Sequence, residues 1–494
     1  MRNWAAVLVV MASAARLAAG GQQAGTWQAA SATLGVDRMT SIEFSGTGTW
    51  HHFGQETNPY APPPAYELRK YVATIDYAKI ARHVQLTGRF SIDPERLTPV
   101  PKDRTNDENS VGDVSWNVGP PGGPATGNAP RVLPDPEDAE ERVMEIWATP
   151  HGFLRAAAVN HATSRTTPDG GSEVTFTAGR HTYVGTINAR NEVQKVHTWI
   201  DNPVLGDMLC QAGFSEYRDF GGVMFPGRIV RTKGGKPFLD LTVSSVKVNP
   251  EVNMPVPAGL AAAMTAPVRA IAEKLADGVF WIKGGQWHSV AIEQGDHIVV
   301  VDAPLDEARS LAVIAKVKES IPNKPITYLV NTHGHFDHAG GLRTYVDEGA
   351  AIVTLPVNQA FYERAWREPR RLNPDRLTRS GKTPRFEPIV GDRHVLADAT
   401  RPIQIHHQPT SGHNENIVMV YLPVEKLLIE VDAWNTEAIN APQIDTLGGD
   451  FVNPYIVDMY NDILRLKLDV DRIVPLHGPR TGTMAELRKA ILLN

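Results

Sequence analysis

The chain has 494 residues, 42% of them hydrophobic, a net charge of −6 and a single cysteine. That length allows two or three domains with proper cores, and one cysteine, Cys210, excludes both a disulfide scaffold and a four-cysteine zinc site. No basic face is available for a polyanion, which speaks against nucleic acid, and any metal must sit on Asp, Glu or the 17 histidines.

The N-terminus has the form of an export signal. Arg2 precedes an apolar stretch from Trp4 to Ala15, followed by the small residues Ala18, Ala19 and Gly20, the pattern that a signal peptidase cleaves. Residues 1–24 are assigned to it, which predicts a periplasmic or secreted protein. Arg16 cuts the stretch too short to span a bilayer, and no later stretch is a transmembrane candidate.

Thr26 to Asn58 is polar and glycine-spotted, and Asn58 to Tyr66 is a proline-rich turn or linker. Alternating apolar residues predict a strand over Tyr71–Tyr77. Asn117 to Pro136, dense in Gly and Pro, is expected to be a mobile loop, and the acids that follow suit a helix over Pro136–Thr149. Strands are predicted at Glu173–Ala178, His181–Asn188, Val193–Ile200, Val223–Thr232 and Phe238–Val248. With no helices between them they imply an antiparallel sheet. Residues 25–250 are therefore assigned to a β-rich N-terminal domain and 251–273 to a linker. From residue 274 to 494 short strands alternate with helices, among them the buried strand Ile326–Thr332.

That strand runs directly into Thr332-His333-Gly334-His335-Phe336-Asp337-His338-Ala339-Gly340-Gly341. Four potential ligands lie within six residues, at a strand end where α/β sheets place their sites. His333 and His335 can point one way while Asp337 and His338 turn towards a neighbouring position, a geometry suited to two metals. Glycines let the loop approach a metal closely.

This segment resembles the HxHxDH signature of the metallo-β-lactamase superfamily. Downstream, Gly412-His413, the strand ending in Asp432 and the strand ending in His477-Gly478 match the later motifs in the family's order. The resemblance covers residues 274–494 and implies an αββα sandwich. It further implies that His333, His335 and His413 bind one zinc, that Asp337, His338 and His477 bind a second, and that Asp432 bridges them. Asp302 matches the acid that supports the ligands. The site contains no thiolate, which fits two zinc ions per chain or, alternatively, iron or manganese.

By the same resemblance, a hydroxide held between the metals, oriented by Asp337, cleaves a small-molecule ester, lactone, thioester or cyclic amide. Asp432 stands where one β-lactamase branch carries cysteine, so the chain looks more like the glyoxalase II, lactonase and phosphodiesterase branches. The hairpin Gly284-Gly285-Gln286-Trp287 resembles a flap closing over substrate, and Trp287 and Trp434 are candidates for an apolar pocket wall. The Arg-rich insert Phe361–Glu387 is a candidate rim for an anionic substrate. His406 and His407 are candidate supports for the ligands or solvent-facing strand residues. In the N-terminal half, Val196–Pro203 and Phe220–Pro226 are similar in texture to the curved sheets of lipoprotein carriers. Two further readings stay open: a lipid or ligand carrier with a vestigial metal domain, and a mononuclear iron oxygenase of the same fold.

Overall fold

A computed structural model describes residues 26–90, 103–121, 130–434, 436, 444–446, 450–452 and 454–492. The signal assigned to residues 1–24 and part of the loop expected at 117–136 lie outside them. No helix among the described residues is long and apolar enough to cross a membrane.

The N-terminal half is one antiparallel sheet of 13 strands built from two meanders. One runs from Ser41–His51 outward to Pro130–Pro134; the other returns from Thr163–Thr166 to Lys236–Val248, which pairs with Ser41–His51. Helices Trp27–Leu34, Ala139–Trp147 and Pro150–Val159 contribute Leu34, Ile146, Phe153 and Leu154 to a core shared with Ile42, Val84, Val196 and Leu241 of the sheet. Cys210 is buried there.

Several strands in this half carry little periodic signal. Ser41–His51 lies in the stretch that reads as polar and glycine-spotted, and its glycines have a steric reason. A Cβ on Gly46 would come within 2.2 Å of Thr242 O, and one on Gly48 within 1.9 Å of Asp240 O. Asp103–Val111 is polar because its side chains bond laterally, Glu108 to Arg82 and Asp107 to His83. Val223–Thr232, expected as one strand, is interrupted at Pro226-Gly227 into Met224–Phe225 and Arg228–Lys233.

The C-terminal half stacks a seven-stranded sheet on a six-stranded one, with helices on both outer faces. Its first strand, Ile271–Ala276, begins inside the stretch assigned as linker. The apolar runs are explained by burial on both sides. In Ile298–Val301, Val299 and Val301 face the second sheet, while Ile298 and Val300 pack on helices Glu307–Ser320 and Leu342–Glu348.

Part of the Arg-rich insert clamps the two halves together. Arg370 is buried and donates to the carbonyls of Asn202, Pro203 and Val204, and Asp207 accepts from the backbone N–H groups of Arg371 and Leu372. Arg343 is paired with Asp375. The hairpin at 202–206 supplies the carbonyls that the Arg370 guanidinium bonds.

His151 in the first half and His406 in the second are buried, and burial depresses each imidazole to about 4. Both bind a proton more readily unfolded than folded, so stability rises with pH between about 4 and 6.5. Acid denaturation curves should therefore show up to about 2–3 kcal/mol lost per histidine as pH falls through that window. His151→Phe should remove its share of the slope.

Candidate metal centre

The buried strand Ile326–Val330 delivers the motif loop to the sheet edge, and a helical turn, Phe336–Ala339, then redirects the chain. The result gathers His333, His335, His413 and Asp432 into one set of ligand atoms and Asp337, His338 and His477 into a second. Within each set the atoms lie within 4.8 Å of one another.

Asp432 lies between them. Its Oδ2 is 3.2 Å from His333 Nε2, 3.1 Å from His413 Nε2 and 3.2 Å from His338 Nε2, and its Oδ1 is 2.9 Å from His477 Nε2. The residue follows the strand Leu427–Glu430 with φ +59°, a left-handed turn that aims the carboxylate at the cluster. Asp337 Oδ2 lies 3.7 Å from His338 Nε2.

The far side of each imidazole decides which nitrogen faces inward. Asp302, fully buried, accepts from Thr332 N and Thr332 Oγ1 and from His338 Nδ1, each at 2.8 Å. Thr332 Oγ1, having donated to Asp302, accepts from His333 Nδ1 at 3.1 Å. His477 Nδ1 donates to Gln286 O at 3.0 Å. His335 is reversed: Nε2 donates to Glu56 O at 3.0 Å, so Nδ1 faces His413 Nε2, 3.1 Å away.

These contacts leave lone pairs pointing at one another. His338 Nε2 and His477 Nε2 lie 2.9 Å apart, and His333 Nε2 is buried without a hydrogen bond of good geometry. Burial raises the Asp432 carboxyl, but the surrounding His338, His413 and His477 hold it well below the usual carboxylate range. Burial pushes the other way at His338, where Asp432 and Asp337 hold the imidazole well above its ordinary value. A converging set of nitrogen and carboxylate donors, with the outward N–H groups of His333, His335, His338 and His477 satisfied, is what divalent metal ions require.

Residues 282–429 match the family model described as the metallo-β-lactamase superfamily. The C-terminal region has the metallo-β-lactamase fold. Curated relatives include a linear primary-alkylsulfatase of Pseudomonas sp. (strain ATCC 19151), 26% identical over 221 residues. That alignment covers 38% of this chain and 40% of the relative. A second linear primary-alkylsulfatase of Pseudomonas sp. is 29% identical over 96 residues, covering 19% of this chain and 14% of that one. The matches thus span less than half the length of these relatives. Among solved structures, a metallo-β-lactamase from Pontibacter korlensis is similar at 19% identity and a TM-score of 0.35, covering 46% of this chain and 98% of its own. The metallo-β-lactamase FIM-1 from Pseudomonas aeruginosa is similar at 17% identity and a TM-score of 0.34, covering 46% and 95%.

Around the superfamily motif, Trp287 sits at the site: its Nε1 donates to Asp337 Oδ2 at 3.0 Å, and its backbone bridges to His477. Trp434 does not reach a pocket wall. It is 1% exposed and packs with Met459, Tyr460 and Leu487, its ring closed against Gly482. His406 is buried rather than solvent-facing and bonds Gln404, and His407 bonds the Glu415 carbonyl; neither hydrogen-bonds a residue of the cluster. Sequence reasoning missed Gln55, whose Nε2 donates to Asp337 Oδ1 at 2.8 Å across 282 residues. It also missed the Glu56 and Gln286 carbonyls, which have no side-chain signature.

Proposed function

We propose that the protein is an exported binuclear zinc hydrolase that cleaves an ester, lactone, thioester or cyclic amide. The observation that carries this reading is the placement of Asp432 between two complete sets of His and Asp donors with no thiolate. Such a set suits zinc. When bound, the metal pair supplies an acidified water and Lewis-acid polarisation of the scissile group.

The chain's own residues set the stage for this chemistry. Asp337, with one oxygen held by Gln55 and the other by Trp287, is fixed to orient the attacking water. Trp287 covers the His477 side of the centre. Asp302 and Thr332 lock the His333 and His338 rings, so no reorganisation is needed during turnover. The completeness of the donor set argues against a vestigial metal domain on a carrier.

Similarity to linear primary-alkylsulfatases favours one second reading, a sulfate ester as the substrate. A panel of a β-lactam, a homoserine lactone, a thioester, a phosphodiester and an alkyl sulfate, each assayed with and without chelator, tests both. Chelator-sensitive turnover of a carbonyl substrate supports the first reading and of the alkyl sulfate the second. No chelator-sensitive turnover across the panel contradicts both.

A further inference from the structure

The N-terminal sheet domain reaches into the metal centre through the segment 52–61, which follows the strand Ser41–His51. Gly54 O accepts from Phe336 N at 3.1 Å, and Thr57 O accepts from Glu415 N at 2.8 Å. Glu56 O accepts from both His335 Nε2 and Asn414 Nδ2, at 3.0 and 2.9 Å. The segment thereby bonds to the motif loop and to the loop carrying His413. The close approach is built in: a Cβ on Gly54 would meet the Phe336 ring at 3.1 Å, and Phe53 packs edge-on against the same ring.

The segment is itself held from the sheet. Lys236, at the start of Lys236–Val248, donates to Glu56 Oε1, Pro59 O and Ala61 O at 3.0, 2.9 and 3.1 Å, and the Glu56 side chain is almost fully buried. A buried ion pair of this kind fixes position rather than adding much net stability.

We infer that Gln55 and Glu56 are positioning residues of the metal centre, supplied by the other domain. The Glu56 carbonyl selects the His335 tautomer that turns Nδ1 inward. The Gln55 amide, opposite Trp287, stops the Asp337 carboxylate from rotating out of the second donor set. The sheet domain is on this account a working part of the catalytic centre and not a separate carrier. Each contact serves a different ion: Glu56 the one at His333, His335 and His413, and Gln55 the one at Asp337, His338 and His477.

The inference rests on the binuclear reading, and one experiment separates the two. Zinc affinity of the full-length protein is measured by chelator competition for the parent and for Gln55→Ala, Gln55→Glu and Lys236→Met, alongside kcat, KM and the melting temperature of metal-free protein. Partners of metal ligands typically contribute tenfold to a hundredfold in metal affinity. Both Gln55 variants should therefore weaken one zinc about tenfold or more and lower kcat with KM little changed. Lys236→Met should weaken the other. Metal-free melting temperatures of the Gln55 variants should stay at the parent value. Parent protein that binds no zinc overturns the binuclear reading itself. Parent protein that binds two zinc ions, with unchanged affinity in the Gln55 and Lys236 variants, overturns only this inference. So does a fall in metal-free melting temperature that accounts for the loss in every variant.

Discussion

Asp432→Ala is expected to lower kcat by about a thousandfold or more and to leave the protein unable to retain a full metal complement. The carboxylate approaches four imidazoles at 2.9–3.2 Å, and both of its oxygens are engaged, Oδ1 towards His477 and Oδ2 towards His333, His338 and His413. Removing it takes a donor from the His333, His335 and His413 set, deletes the Oδ1 approach to His477 of the other set, and removes the negative charge between them. Asp432→Asn tests the charge alone, since the shape is kept and one oxygen remains. It should retain more metal than the alanine variant while still losing most turnover. Activity of either variant near the parent level would mean that the chemistry is done elsewhere. Steady-state kinetics and element analysis on the same samples make the check.

A large loss of stability, with metal content falling beside it, is expected from Gly340→Ala, for a reason that lies in packing. Gly340 closes the turn that carries Asp337 and His338, and a Cβ there would lie 1.7 Å from Leu305 O, a backbone atom that cannot swing aside. Leu305 N in turn donates to Asp337 O at 3.1 Å, so displacing this strand-end loop moves the motif. Overpacking of this kind costs about 3 kcal/mol or more when backbone must shift. Chemical denaturation should show that loss, and the metal content should fall with it. Gly213→Ala, where the nearest atom to the new Cβ is 3.8 Å away, serves as the control and should be close to neutral. Equal stability of the two variants would contradict the packing argument.

The sequence makes the metal set legible because its ligands are local or tied to strand ends. His333 to His338 sit in one loop, and Asp432 and His477 each follow a run of apolar residues buried on both faces. The Gly340-Gly341 pair, by contrast, is visible in sequence while its steric purpose is not, since Leu305 and Ser310 lie on neighbouring elements. Contacts through backbone carbonyls, such as Glu56 O and Gln286 O, leave no trace in residue identity.

Trp434 shows where sequence proximity misleads. Two residues beyond Asp432 it looks like pocket wall, but the left-handed turn at Asp432 sends the chain behind the second sheet. There the indole fills the space over Gly482, where a Cβ would be 2.4 Å from the ring. The polar strand Asp103–Val111 is hidden for another reason: on its two faces Glu108 and Asp107 pair with Arg82 and His83 in place of an apolar stripe. In the Arg-rich insert the sequence does not show that a guanidinium can serve carbonyls as well as a substrate, as Arg370 does with three of them.

The central claim, that Asp432 joins two metal sets into one hydrolytic centre, is tested most directly by counting metal. Element analysis of the purified full-length protein should find about two zinc ions per chain, lost to chelator together with activity and restored by zinc. No tightly bound metal, or turnover that persists after complete removal of metal, would contradict it.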